Sequence, residues 1–80
     1  MSTINENEIA SCVRKSVNNY LNDLDGEKPY PLYNMVIHSV EKPLIELIMK
    51  HTNGNQTKAA ELLGINRNTL RNKIKQYKIK

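Results

Sequence analysis

Apolar residues recur from Ile9 onward at steps of three and four: Ile9, Cys12 and Val13, Val17, Tyr20 and Leu21, then Leu24. Ser, Asn, Arg and Lys fill the positions between them, so the pattern predicts an amphipathic helix over about 9–24 with one wet face. Residues 1–8 carry no such period and are expected to form a flexible N-terminus. Asp25-Gly26 is a stop signal, and Pro29 and Pro31 bracket a short loop.

From Leu32 to about His51 the pattern changes. Leu32, Tyr33, Met35, Val36, Ile37, Val40, Leu44, Ile45, Leu47, Ile48 and Met49 spread around most of a helical wheel. A helix apolar on so many sides must be buried on so many sides, and the remaining short helices of one chain cannot cover it. A second copy of the chain is the natural partner, with Val36, Val40, Leu44, Leu47 and Ile48 expected in the dimer core. Pro43 interrupts this segment by removing the hydrogen bond to residue 39 and crowding its carbonyl, which predicts a kink. Two shorter helices meeting at Pro43 stand as the alternative. Asn53-Gly54 ends the segment, Gly54 supplying the left-handed backbone of a C-terminal cap.

The last stretch, residues 55–77, reads NQTKAAELLGINRNTLRNKIKQY. Asn55 is placed as N-cap of a two-turn helix (about 56–63), Gly64 closes it, and Ile65 plugs the turn. Asn66 is the N-cap of a second helix over about 67–77, which turns Leu70, Ile74 and Tyr77 inward. Arg67, Asn68, Arg71, Asn72, Lys75 and Lys78 remain on its outer face. The small Ala60 lets the two helices cross closely, and a glycine four residues later permits the abrupt turn. The second helix then stands proud and can enter a major groove.

Charge sharpens this picture. Residues 50–80 hold eight basic side chains against the single acid Glu61, a net +7, whereas residues 1–49 hold four against seven acids, a net −3. A polyanion therefore suits the C-terminal part and not the N-terminal part. Arg67 can fork onto a guanine edge, and Asn66 or Asn68 can pair with base edges. Thr57, Lys58, Thr69 and Lys73 are placed to reach phosphates, aided by helix N-termini.

Other candidate chemistry falls away. His38 and His51 are thirteen residues apart and have no Cys or carboxylate at metal-ligand spacing, so packing or surface roles are expected and no metal. Cys12, the lone cysteine, shares the apolar side of the first helix and reads as a buried thiol, while one cysteine excludes an internal disulfide. Glu41 and Glu46 read as the solvated edge of the second helix. Four scattered tyrosines make no stacking platform for single strands. No catalytic residue, no cofactor and no enzyme is expected. The N-terminus lacks a signal-peptide pattern, and the longest apolar-rich stretch is far too short for a bilayer, so no membrane association is expected.

The segment NQTKAAELLGINRNTLRNKIKQY resembles the C-terminal DNA-binding region of the Fis family, bacterial nucleoid-associated factors for inversion stimulation. The likeness continues upstream through PLYNMVIHSVEKPLIELIMKHTNGN and, more loosely, the first helix, covering roughly residues 9–80. It implies an all-α chain of four helices. The two N-terminal helices (within 9–52) would form an intertwined homodimer core, and residues 53–80 a helix-turn-helix. It also implies a double-stranded DNA site bent to meet two closely spaced recognition helices, selected through shape and deformability, in a cytoplasmic, nucleoid-associated transcription regulator. By the family pattern Asn66 and Arg67 lie on base edges, and Asn55, Thr57, Lys58, Thr69, Arg71 and Lys73 match backbone-contacting positions. RNA polymerase is a further partner to consider.

Three departures bear on that expectation. The N-terminal segment is too short for the β-hairpin arms that touch invertases in the best-known member, so stimulation of DNA inversion is not expected. Asn72 replaces a lysine and Asn68 a glycine of that member. The same C-terminal motif also resembles the DNA-binding domains of NtrC-like activators, whose Walker motif this chain lacks. A stand-alone domain of that kind is one alternative, and a helical protein-interaction module with a basic tail is the other.

Overall fold

The computed structural model describes residues 6–24, 26–28 and 31–80. Every regular element among them is an α-helix: α1 (Glu6–Asp23), α2 (Leu32–His51), α3 (Gln56–Leu63) and α4 (Arg67–Tyr77). The chain divides into two compact units, Met1–Val36 and Ile37–Lys80.

In the first unit α1 starts three residues earlier than the apolar period suggests, at Glu6. The apolar pattern marks only where burial is needed, whereas a carboxylate in the first turn, such as Glu8, favours the positive end of the helix dipole and lets the helix extend. Of the segment expected to be flexible, residues 1–5 lie outside the described residues and residues 6–8 are helical. At its other end the chain turns through Leu24 N–H to Tyr20 O (3.1 Å) and Glu27 N–H to Leu24 O (2.9 Å) around Gly26. The stop residue Asp25 and the loop proline Pro29 lie outside the described residues. Cys12 is exposed, contrary to the buried thiol expected, because the apolar side it shares with Ile9 and Leu21 is open in the single chain.

Pro43 lies within one unbroken α2, so the pair of shorter helices is not what forms. Lys50 in its last turn complements the negative end of the dipole. The helix closes in a double hydrogen bond: Gly54 N–H reaches Met49 O at 2.9 Å and Asn53 N–H reaches Lys50 O at 3.2 Å. In this motif the first left-handed residue after the helix is Asn53 (φ 55), not only Gly54 (φ 84) as expected. Asparagine tolerates that conformation better than most side chains. The Thr52 hydroxyl donates to Ile48 O at 3.0 Å, a carbonyl that also accepts the Thr52 N–H at 3.0 Å.

The core of the second unit joins three helices. Ile45 and Met49 of α2, Ala59 and Ala60 of α3 and Leu70 of α4 are buried, with Ile48, Leu63, Ile74, Tyr77 and Ile79 packed around them. Ala59 and Leu70 are completely inaccessible. Alanines at this crossing let α3 and α4 approach closely, as their spacing predicts. Ile45 and Met49 lie one turn apart and face this core, while Ile37, Val40, Leu44 and Leu47 remain exposed. An all-round apolar helix gives no hint of that division, since periodicity cannot say which side meets its own chain.

Candidate nucleic-acid interface

Local chemistry fixes α3 and α4 where the sequence places them. Asn55 Oδ1 accepts from Lys58 N–H at 3.1 Å, capping α3, and Asn66 Oδ1 accepts from Asn68 N–H at 2.7 Å, capping α4. Each cap satisfies one of the N–H groups left unpaired in a first turn. Between them Gly64, at φ 72, directs its own N–H to Glu61 O (3.2 Å) and the next N–H, of Ile65, to Ala60 O (3.1 Å). This pair of hydrogen bonds turns the chain sharply from one helix into the next. Ile65 does not plug the turn as expected. It stays 37% exposed.

The outer surface of α4 carries Arg67, Asn68, Arg71, Asn72 and Lys75, all exposed, and α4 contains no acid. Arg67, Arg71 and Lys75 repeat every four residues, which aligns them as one stripe, with Asn68, Asn72 and Gln76 as a neighbouring stripe. Leu70, Ile74 and Tyr77 point the other way, into the core. Arg67 Nη1 lies 3.4 Å from Thr57 Oγ1, so the turn brings together a residue expected on bases and one expected on phosphates. Asn55, Thr57, Lys58, Asn66 and Thr69 are all exposed beside them.

Lys73 is placed differently from its neighbours. Its Nζ lies 3.0 Å from Glu41 Oε1, and the two side chains are only 32% and 26% exposed. The Tyr77 hydroxyl donates to the same carboxylate oxygen at 2.5 Å. Glu41 is thus a partnered group and not the solvated edge expected of it, whereas Glu46 is exposed. The hydrogen bond from Tyr77 and the contact and charge of Lys73 outweigh partial desolvation and hold the Glu41 carboxyl below its ordinary range. Partial burial, aided by the Glu41 carboxylate, pushes the Tyr77 phenol up to about 12. His38 stacks edge-on against Tyr77 with ring centroids 5.4 Å apart, and its Nε2 lies 3.2 Å from Gln76 Nε2. His38 thus takes the packing role expected of it, within a cluster that the pattern of residues along the chain does not reveal. Its one signal is that His38 and Glu41 are three residues apart, as are Lys73 and Gln76.

Among the described residues no group of three or more His, Cys, Asp or Glu side chains could hold a metal ion, and no helix is long and apolar enough to cross a membrane. The residues expected in a dimer core divide in two. Val40, Leu44 and Leu47 are exposed at 47%, 46% and 64%, whereas Ile48 packs partly on its own chain's core and Val36 is half-buried.

Two short capped helices joined at a left-handed glycine, the second with an open polar face, form a helix-turn-helix. A family model described as "Bacterial regulatory protein, Fis family" matches residues 37–77. DNA-binding protein Fis of Glaesserella parasuis is 52% identical over 65 residues, which are 81% of this chain and 66% of that protein. A putative Fis-like DNA-binding protein of Ralstonia nicotianae is 47% identical over 74 residues, 92% of this chain and 96% of the relative. DNA-binding protein Fis of Aliivibrio fischeri is 49% identical over 74 residues, 92% and 76% of the two chains. The chain belongs to the Fis family.

Proposed function

We propose that this chain binds double-stranded DNA as a homodimer and bends it, acting as a nucleoid-associated regulator of transcription. The observation that carries the reading is the outer face of α4. An arginine, an arginine and a lysine stand in line on it, with exposed asparagines beside them and no acid on the helix. Its relatives are named as DNA-binding proteins. Asn66 and Arg67 meet base edges, and Asn55, Thr57, Lys58, Thr69 and Arg71 hold the DNA backbone. Lys73, already held by Glu41, is left out of that set.

The homodimer is supported by the exposed stripe Ile37, Val40, Leu44 and Leu47. Its steps of three, four and three are the spacing with which two helices pack along a common seam. The likeness to the Fis family implies two recognition helices spaced more closely than one turn of B-DNA, so a site would have to bend to meet both, and sequences that bend readily are favoured. Such a dimer would work in the cytoplasm, on the nucleoid, and RNA polymerase is the partner through which it would alter transcription.

The test is a gel shift on circularly permuted duplexes carrying an A/T-rich centre flanked by guanines, repeated across a salt series. Mobility that depends on site position, with affinity falling steeply as salt rises, is the expected result. Retardation independent of position would remove bending but keep binding. No complex at low salt would remove the DNA reading itself. A promoter bound by this protein should also take up RNA polymerase more readily, and unchanged uptake would remove that partner.

A further inference from the structure

We infer that Lys73 is not a phosphate contact but a positioning residue, one half of a clasp with Glu41 and Tyr77 that sets the pose of the recognition helix α4 against α2. The inference rests on the DNA-binding reading and narrows it. Three side chains of α4 (Lys73, Gln76 and Tyr77) meet two of α2 (His38 and Glu41) in one patch. The contacts are Lys73 Nζ to Glu41 at 3.0 Å, the Tyr77 hydroxyl to Glu41 at 2.5 Å, Gln76 to His38 at 3.2 Å and the His38 ring edge-on to Tyr77 at 5.4 Å. Hydrogen bonds to an ionised carboxylate are short and directional, and half-burial removes much of the water that would compete for them. To reach a phosphate, Lys73 would have to leave Glu41, whose carboxylate would then keep only the Tyr77 hydroxyl beside a polyanion. Arg71, two residues earlier and exposed, meets no such obstacle.

Packing alone leaves α4 some freedom to roll. Leu70 and Ile74 are apolar, so their contacts are nondirectional, whereas the clasp fixes α4 at its C-terminal half. A small roll about the axis would swing Arg67 and Asn66 at the other end of the helix away from the base edges. The clasp would therefore be felt in discrimination between sequences more than in attraction to DNA.

Salt dependence separates the two roles. Each phosphate contact adds about 0.9 to the slope of log affinity against log salt concentration. Arg71→Met is expected to lower the slope by about that amount on any duplex. Lys73→Met should leave the slope unchanged and lower the ratio of preferred-site to random-duplex affinity, about fivefold for loss of a half-exposed charged hydrogen bond. Glu41→Gln should do the same, and the two changes together should cost no more than either alone. A slope lowered by about 0.9 in Lys73→Met would overturn the inference, as would an unchanged ratio. If the wild-type chain gives no complex on any duplex, the DNA-binding reading has failed and the clasp is judged on folding. A double-mutant cycle of unfolding should then show strong coupling between positions 41 and 73, and additive losses would overturn the clasp too.

Discussion

Two residues in the same backbone conformation make opposite predictions. Gly64 (φ 72) closes α3 and Lys78 (φ 54) closes α4, each with the same pair of hydrogen bonds back into its helix. A side chain at either position incurs the left-handed penalty, of about 1–2 kcal/mol. A Cβ at Gly64 would meet nothing within 4 Å, so Gly64→Ala should cost only this conformational amount, about 1 kcal/mol, with no steric addition. Lys78→Gly relieves the penalty and should raise stability by up to about 1 kcal/mol, less what glycine adds to the freedom of the unfolded chain. Thermal melts of both variants check the pair, and a neutral Gly64→Ala would mean the turn does not need its left-handed residue. At Arg67 the expected effect is on recognition and not on folding. Arg67→Ala should leave the melt unchanged and reduce discrimination at one guanine in each half-site by about 1–3 kcal/mol, read in competition gel shifts with guanine-substituted duplexes. Arg67→Lys should not restore it, because an ammonium cannot make the forked contact.

Legibility differs from element to element. The bounds of α3 and the start of α4 follow from residues next to each helix, Asn55, Gly64 and Asn66, whose capping acts over five residues or fewer. Chemistry that local is readable from sequence alone. The start of α1 has no such marker in the apolar pattern, and α2 is apolar on too many sides for periodicity to separate Ile45 and Met49, which its own chain buries, from Leu44 and Leu47. The cluster at Glu41 was invisible for another reason. Its partners come from positions more than thirty residues apart, and no local rule links them. That cluster also sets how stability responds to pH. The Glu41 carboxyl is depressed below its ordinary value of 4.5, so its contribution is present above that pH and is lost as pH falls through the lowered value. The Tyr77 phenol is raised from 10.0 to about 12, so its contribution is present below pH 10 and is lost as pH climbs toward 12. Unfolding measured across pH should show both limbs, Glu41→Gln should flatten the acid one, and Tyr77→Phe the alkaline one. An alkaline limb that survives Tyr77→Phe would assign it to another group.

At the scale of the whole chain, the two kinds of surface belong to different halves. Net charge is −3 over residues 1–49 and +7 over residues 50–80, and the exposed large aliphatic side chains are mostly in the first of these. A polyanion would be drawn to the second half and kept off the first, leaving the apolar face free for another protein surface. An 80-residue chain has little core to spare, and the five buried residues among those described are few to hold it folded alone. Folding and association should therefore be one process. At low micromolar concentration sedimentation should give twice the mass of the chain, and the melting temperature should rise as protein concentration rises. Leu44→Asp puts an unpaired charge on the exposed stripe and leaves the helix-turn-helix core of Ala59, Ala60 and Leu70 untouched. It should lower the melting temperature sharply and shift the sedimenting mass toward one chain. A wild-type monomer whose melting temperature ignores concentration would remove the dimer, and with it the reason to expect that one bound molecule bends DNA through two recognition helices.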